Sequence, residues 1–504
     1  MLVLGIDIGT TNTKAVLMSG DKPEVVAASA ASYAMRYLGD GGVEQDPLDW
    51  WRAVCDVIAS FGRQGYPLDR IEAIAVSGHG CSLVAVDEAG EVLRPAISSL
   101  DTRCSPQTAA IRQSAGDRIL EINGNSVGAF NFEPKLLWLK ENEPSVYERM
   151  PCFLSPASYI NYRLTGRKAM NVSDGGIGMA YDRRSGGQWS SAIIGSMGLD
   201  AEKFPPLAAC GEPIGRVTRR AAQETGLPEH AVVLGGGEDT SSAALSMGVV
   251  SPRQAYLSLG TQGTVGVCTD RFAVRPEILG FPHVLEGRSL LSGSMSTCGG
   301  GMQWLIREWY RDYSERFSSD GEVLQAVMED CRRTNPGAGG LLFLPYLSGE
   351  LHPILDEKAA GVFFGLKLHH TRQDMARSVM EGAAHAIAHN LKYAEMVAGE
   401  VEELNAVGGP TRSELWCQAI ADITGKPVRV AGTADSSAGA PLGNAMLALA
   451  ALTGQRAEDL AAPLLLGGRT YEPREAVRPM YKEQHAIYLK LYPRLKDLYA
   501  LLPS

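Results

Sequence analysis

The sequence predicts an α/β protein built as two domains with a cleft between them. Three observations carry that reading. The chain has 504 residues, more than one hydrophobic core usually supports. A strand, a Gly-Thr turn and a second strand occur twice, at LGIDIGTTNTKAVL (4–17) and at AYLSLGTQGTVGVC (255–268), about half a chain apart. An echo on that scale points to a duplicated domain. Several apolar runs also stop at glycines, as in IAVSGHG (74–80), VVLGGGED (232–239) and NAVGGP (405–410). Ligands of α/β sheets gather at such carboxyl ends of buried strands.

The elements follow in order. Residues 2–7 and 14–18 read as a hairpin around a GTT turn. DPLDWWRAVCDVIASFG (46–62) has helical periodicity and an acidic start. IEAIAVSG (71–78) is a buried strand, with helical patterns after it at 105–120, 134–142 and 156–165. A strand at 232–239 precedes a helix at 240–248. The second half places strands at 341–347, 403–409 and 427–430, and helices at 372–397, after Pro410, at 436–453 and at 478–500. No low-complexity tract or linker interrupts the chain. The boundary is therefore expected near VVSPRQ (249–254), giving domains 1–249 and 250–504.

Composition narrows the class. Apolar residues make up 45% and charged residues 21%, ample material for two cores. The 57 acids outnumber the 47 bases for a net charge of −10, which argues against nucleic acid as a partner. Nine cysteines, none at metal-ligand spacing, suit the reduced thiols of a cytoplasm. The start MLVLGID reads as a strand and not as a signal peptide. The longest apolar run, AMLALAAL (445–452), is too short to cross a bilayer. A cytoplasmic protein with no membrane partner is expected.

Five segments carry candidate chemistry. In GIDIGTTNTK (5–14) the Gly9–Thr10–Thr11 turn aims backbone N–H groups and hydroxyls at one point, as phosphate oxygens require. Lys14 adds a point charge, and Asp7 suits a magnesium ion held through water. No GxxxxGK[ST] loop occurs. LGTQGT (259–264) offers the same donors, with Gly260, Thr261 and Gly263, from the other half. In GGGEDTSSAAL (235–245) a carboxylate follows three glycines. Asp239 there can accept a proton from a hydroxyl nucleophile, although read alone it is better explained as the N-cap of the next helix. SGHGCS (77–82) brings His79, Gly80 and Cys81 to a strand end. Asp101, read alone in SSLDTRC (98–104), is a solvated turn residue. AVGGPTRSELW (406–416) offers bare backbone at Gly408 and Gly409 for a flat ring such as adenine.

Together these segments resemble the FGGY family of carbohydrate kinases, within the actin–hexokinase superfamily. GVFFGLKLHHTRQDMARSVME (361–381) is similar to the family's C-terminal signature, with Asp374, Ser378 and Glu381 at its fixed positions. FEPKLLWLKEN (132–142) resembles the N-terminal signature around Lys135 and Trp138, with Phe132 as a departure. The resemblance implies two ribonuclease-H-like domains closing on ATP and Mg²⁺. It implies phosphate motifs at 5–17 and 257–267, and an adenosine motif at 408–413 that includes Ser413 and has Pro410 in place of a glycine. Asp239 is implied as the base, counted back from Gly248, and GGGED leaves a register slip to Glu238 open. Asp7 and Asp239 are the expected metal-holding carboxylates.

The substrate side, through EQDPLDWW (44–51), VLRPAI (92–97) and FLPYLSGE (343–350), resembles the xylulose kinases of that family. His79–Ser82, Ser99–Asp101 and Gly349–Leu351 depart from their pattern. His79, Gly80, Cys81, Asp101 and Asp239 are the expected sugar contacts, and a ketopentose such as xylulose is the expected substrate. Gluconate, erythritol, glycerol and a branched ketopentose remain alternatives. A homodimer is the assembly expected of such kinases. An actin-like ATPase and a non-catalytic sugar sensor are the rival classes.

Overall fold

A computed structural model describes residues 1–21, 23–430, 439–461 and 468–502. Among them, each half holds one seven-stranded sheet. In the first, Leu2–Ile8 is antiparallel to Asn12–Ser19, which pairs with Glu24–Ser32. On its other side Leu2–Ile8 runs parallel to Ile71–Gly78, then comes Val232–Leu234, also parallel, and an antiparallel edge at Pro213–Arg216. In the second, Gln254–Leu259 is antiparallel to Gly263–Thr269, which pairs with Ser289–Met295. Its other side runs parallel to Glu403–Gly408 and Val428–Val430, with an antiparallel edge at Arg469–Tyr471. Order and directions coincide over six strands, the seventh being Gly237–Glu238 beside Ile71–Gly78 in the first sheet and Leu279–Pro282 outside Ser289–Met295 in the second, so the echo of two hairpins is a duplication of the ribonuclease-H-like sheet.

Local chemistry explains the elements that hold the cleft. Val3–Ile8 is buried throughout, as a central strand covered on both faces must be. Helix Pro47–Arg63 starts where the Asp46 side chain accepts the Leu48 N–H and Pro47 presets the first turn. Its Trp50, Val54, Val57, Ile58 and Phe61 form the buried stripe. Helix Arg372–Ala398 opens on a reciprocal capping box between Thr371 and Asp374.

Three elements differ from expectation. The strand at 232–239 splits into Val232–Leu234 and Gly237–Glu238. Gly236 has φ 75°, and a Cβ there would lie 2.0 Å from the Val76 carbonyl oxygen. The helix after Pro410 begins as a 3₁₀ turn, Gly409–Arg412. It becomes α-helical at Glu414 because Ser413 Oγ accepts the Trp416 N–H at 3.3 Å. The strand at 341–347 is confined to Leu342–Leu344.

Helix Gly439–Thr453 crosses between the halves; the start expected for it at 436 lies outside the described residues. It packs on Leu2–Ile8, on Ile71–Gly78 and on helix Asp239–Ser246. Leu442, Met446 and Leu449 join Val3, Val16 and Leu234 in one apolar core. The approach depends on glycine: a Cβ on Gly5 would lie 1.9 Å from Pro441 O, and one on Gly443 1.8 Å from Ser242 O. Gly443→Ala is expected to pry the two helices apart, at about 1–3 kcal/mol of stability. Calorimetric unfolding checks this, and turnover is expected to fall with it because both helices border the cleft.

Candidate active site

Asp239 is not the helix cap that its neighbours suggest. Glu238, not Asp239, is the N-cap: its Oε2 accepts the Ser241 N–H at 2.9 Å from extended backbone. Asp239 is the first residue of the helix, half-buried, and accepts the Thr240 hydroxyl at 3.0 Å. The residue that intrudes into the GGGD pattern thus takes over capping and leaves Asp239 free of it. The Glu238 N–H donates to Ser173 Oγ at 2.8 Å, which fixes the strand end.

The charge of Asp239 reaches Asp7, His79, Asp174 and Glu238. Burial, and then that charge, push Asp7 up to about 7, against the Ser77 hydroxyl at 2.7 Å and the Lys14 ammonium. Burial pushes Asp174 up to about 7, against hydrogen bonds from Ser155 and Asn171. Burial also holds Glu238 well above the usual carboxylate range, with Asp239 adding to it. A carboxyl raised in the folded state favours folding at low pH, and that contribution is lost as pH climbs from about 4 to about 7. Asp7→Asn keeps an acceptor for Ser77 and removes the cost. Without nucleotide or metal, the variant is expected to match the parent near pH 4. By pH 7.5 it is expected to exceed the parent by about 1–3 kcal/mol. Unfolding midpoints across that range check the slope.

The two Gly-Thr turns are braced from behind. Tyr33 Oη donates to Gly9 O at 2.5 Å and Gln45 Nε2 to Thr10 O at 2.8 Å, while the Gly9 N–H closes on Asn12 O at 3.0 Å. Thr10 is half-buried and Thr11 exposed, and Lys14 stands opposite Asp7 in register. In the other half the Gly299 N–H donates to Gly260 O at 2.8 Å and the Gly300 N–H to Thr261 O at 3.0 Å. Gly260 and Thr261 are exposed. Gly263 departs from the expectation: it is buried, and a Cβ there would meet Met295 Cε at 2.3 Å, so packing is what it serves. Gly408, at φ 107°, would place a Cβ 1.9 Å from Leu259 O. A Cβ on Gly409 would meet nothing within 4 Å, so that turn presents bare backbone to open space. Ser413 spends its hydroxyl as a helix cap.

On the opposite side His79 is buried, and burial lowers its imidazole to about 4, so it is neutral. Its N–H backbone donates to Ile8 O at 2.9 Å, and its Nδ1 lies 2.8 Å from Ser82 Oγ. Its Nε2 is buried without a partner, as is Nε1 of Trp50, whose ring meets the imidazole edge-on at 5.4 Å. The two rings touch, and each carries a buried polar atom that lacks a partner. Cys81 is buried at φ 61°, and its carbonyl accepts from the Lys135 ammonium at 2.9 Å. The lysine of the N-terminal signature therefore holds this turn.

Asp101 is not the solvated turn carboxylate that its neighbours suggest. It is buried and accepts the Val43 N–H at 2.7 Å, the Arg103 N–H at 3.0 Å and Arg103 Nε at 2.9 Å. The Arg103 guanidinium in turn lies over Trp138.

Other residues at the centre escaped the sequence reading. Asn444 is fully buried on the crossing helix. It donates to Ile6 O at 2.7 Å and to Ser77 Oγ at 2.8 Å, and accepts from Ser242 Oγ at 2.9 Å. Through Ser77 it reaches Asp7, and through Ser242 the helix of Asp239. Nothing local marks an asparagine in an apolar helix as a link between halves. Tyr33 and Gln45 were also hidden, although Gln45 stands in the EQDPLDWW segment.

Comparison with known proteins agrees with this fold. Residues 2–246 match the N-terminal domain, and residues 255–452 the C-terminal domain, of the FGGY family of carbohydrate kinases. The xylulose kinase of Escherichia coli strain K12 is 30% identical, over 99% of this chain and 100% of its own. The crystal structure of xylulose kinase from Rhodospirillum rubrum superposes with a TM-score of 0.91 at 28% identity, covering 99% of this chain and 100% of that one. Gluconate kinase from Lactobacillus acidophilus shares the fold, with a TM-score of 0.89 at 23% identity over 99% of both chains. With two sheets of one topology, a carboxylate freed at the strand end between them and both family domains matched in order, the chain belongs to the FGGY family of carbohydrate kinases.

Proposed function

We propose that this kinase transfers the γ-phosphoryl group of ATP to a terminal hydroxyl of a small sugar, with xylulose the foremost candidate. The observation that carries the reading is Asp239: a carboxylate at the meeting of the two halves, relieved of capping by Glu238. It takes the proton of the hydroxyl. The hydroxyl oxygen forms the new bond to phosphorus, and the bond to the β–γ bridging oxygen breaks to release ADP.

Thr10, Thr11 and Lys14 hold phosphate oxygens from one side, Gly260 and Thr261 from the other, and the Gly408–Gly409 turn takes adenine. Residues 1–249 carry the sugar, the base and one phosphate turn, and 250–504 the rest of the nucleotide site. Asp7 and Asp239 fit Mg²⁺. They are two carboxylates whose mutual repulsion a dication would relieve. Such an ion neutralises charge on the transferring phosphoryl group. Closure excludes water, since hydrolysis of ATP competes with transfer. His79 Nε2 and Trp50 Nε1 bind sugar hydroxyls, and Asp101 acts by fixing the 98–103 loop. Nine free thiols support a cytoplasmic setting, and a homodimer is the assembly we expect.

Xylulose rests on the E. coli and R. rubrum relatives, and the changed residues at 79–82 and 99–101 keep other ketopentoses, polyols and sugar acids as competitors. ADP release measured with D-xylulose, D-ribulose, erythritol, glycerol and D-gluconate tests the reading. Turnover is expected to be highest with D-xylulose. A rate that no sugar stimulates contradicts the kinase reading, and a preference for another compound corrects the substrate.

A further inference from the structure

Two departures from the family pattern fit into one another. Position 80 is a glycine in the turn that faces the sugar, and Glu238 is the extra residue before the base. A Cβ on Gly80 would lie 3.3 Å from Glu238 Cγ and 3.6 Å from Glu238 Oε1, with Ile177 Cδ1 at 3.1 Å on its other side. The glutamate side chain therefore occupies the space into which a side chain at position 80 would extend.

Its backbone cannot drift. Glu238 pairs with Gly78 in the parallel ladder, and its N–H is held by Ser173 Oγ at 2.8 Å. Oε2 is committed to the helix cap at 2.9 Å from the Ser241 nitrogen, which leaves Oε1 turned toward Gly80. The residue is only 5% exposed, and it stands between His79–Gly80, whose imidazole leaves Nε2 orphaned, and Asp239. Oε1 takes no part in the cap, and a hydroxyl of a polyhydroxyl chain can donate to it there.

We propose that Glu238 is a substrate-contacting residue that sets sugar specificity: its Oε1 hydrogen-bonds a hydroxyl of the sugar chain close to the one that Asp239 deprotonates, replacing a contact from position 80. The proposal rests on Asp239 being the base, and the two can be tested apart.

Glu238→Ser is the discriminating variant. Serine is a good N-cap, so the helix keeps its start, while the side chain no longer reaches Gly80. The expected result is an unfolding midpoint no lower than the parent's, since a raised buried carboxyl is removed and the cap is kept, and a KM for ATP within about twofold of the parent. KM for D-xylulose is expected to rise at least about tenfold, the scale of one buried hydrogen bond. The preference ratio between D-xylulose and erythritol is expected to change as well. Gly80→Ala, which pushes on Glu238 Cγ, is expected to raise KM for the sugar in the parent but not further in the Glu238→Ser background.

A sugar KM and preference ratio within twofold of the parent in Glu238→Ser overturn the proposal. Calorimetric binding of D-xylulose separates the two assignments. Weakened binding in Glu238→Ser beside an active Asp239→Asn sinks the base and supports the contact. Undiminished binding in Glu238→Ser beside an inactive Asp239→Asn sinks the contact alone.

Discussion

Asp239→Asn is expected to fold as the parent does and to lose turnover on the order of 10³-fold, within the range that a positioned general base contributes. The substitution is nearly isosteric. It leaves the cap on Glu238 and the Thr240 contact intact, and with less repulsion on Asp7 the stability at neutral pH is expected to match or exceed the parent's. Relief of the repulsion on Asp7 is expected to lower the Asp7 carboxyl from about 7. Binding of D-xylulose, read by calorimetry, is expected to persist. Turnover near that of the parent contradicts the assignment. If Glu238→Gln then proves to be the inactive variant, the base belongs one residue earlier, in the alternative register.

Glu381→Ala is expected to cost about 3–5 kcal/mol in the second half, the penalty for breaking a buried ion pair from one side. Glu381 Oε1 accepts from Arg377 Nε at 2.7 Å, from Tyr481 Oη at 2.6 Å and from the Gly337 N–H at 3.2 Å. Truncation leaves a buried guanidinium, a phenol and an amide short of a partner and unties helix Arg478–Tyr499 from helix Arg372–Ala398. Glu381→Gln retains an acceptor and is expected to lose roughly half as much. A chain of two halves need not unfold in one step, so the calorimetric transition of the second half is the quantity to follow. Equal losses in the two variants would show that the charge, and not the acceptor, matters.

Much of the fold was legible because it rests on short-range patterning. The two hairpins, Leu2–Ser19 and Gln254–Thr269, announce themselves by alternating apolar residues around Gly-Thr, and the sheets reproduce that echo strand for strand. The helix at 46–62 carries its own cap and stripe. What stayed hidden depends on partners far along the chain. Asn444 gains meaning only when Ile6, Ser77 and Ser242 arrive, between 202 and 438 residues away. Asp101 looks solvated until Val43 and Arg103 close on it.

The signatures show the same division. Asp374 caps a helix, Ser378 donates to Met375 O at 2.8 Å, Glu381 ties two helices and Lys135 props the sugar-side turn. The residues that advertise the family most clearly build the scaffold. Those proposed to face the sugar, around 79–82 and at 238, lie where the sequence departs from the pattern that it otherwise resembles.

Transfer of a phosphoryl group to sugar between the two halves is tested most directly by ³¹P NMR of the protein with ATP, Mg²⁺ and D-xylulose. The expected spectrum shows a sugar phosphomonoester growing in step with ADP and little inorganic phosphate. ADP accompanied only by inorganic phosphate, with no ester from any sugar of the panel, would contradict it.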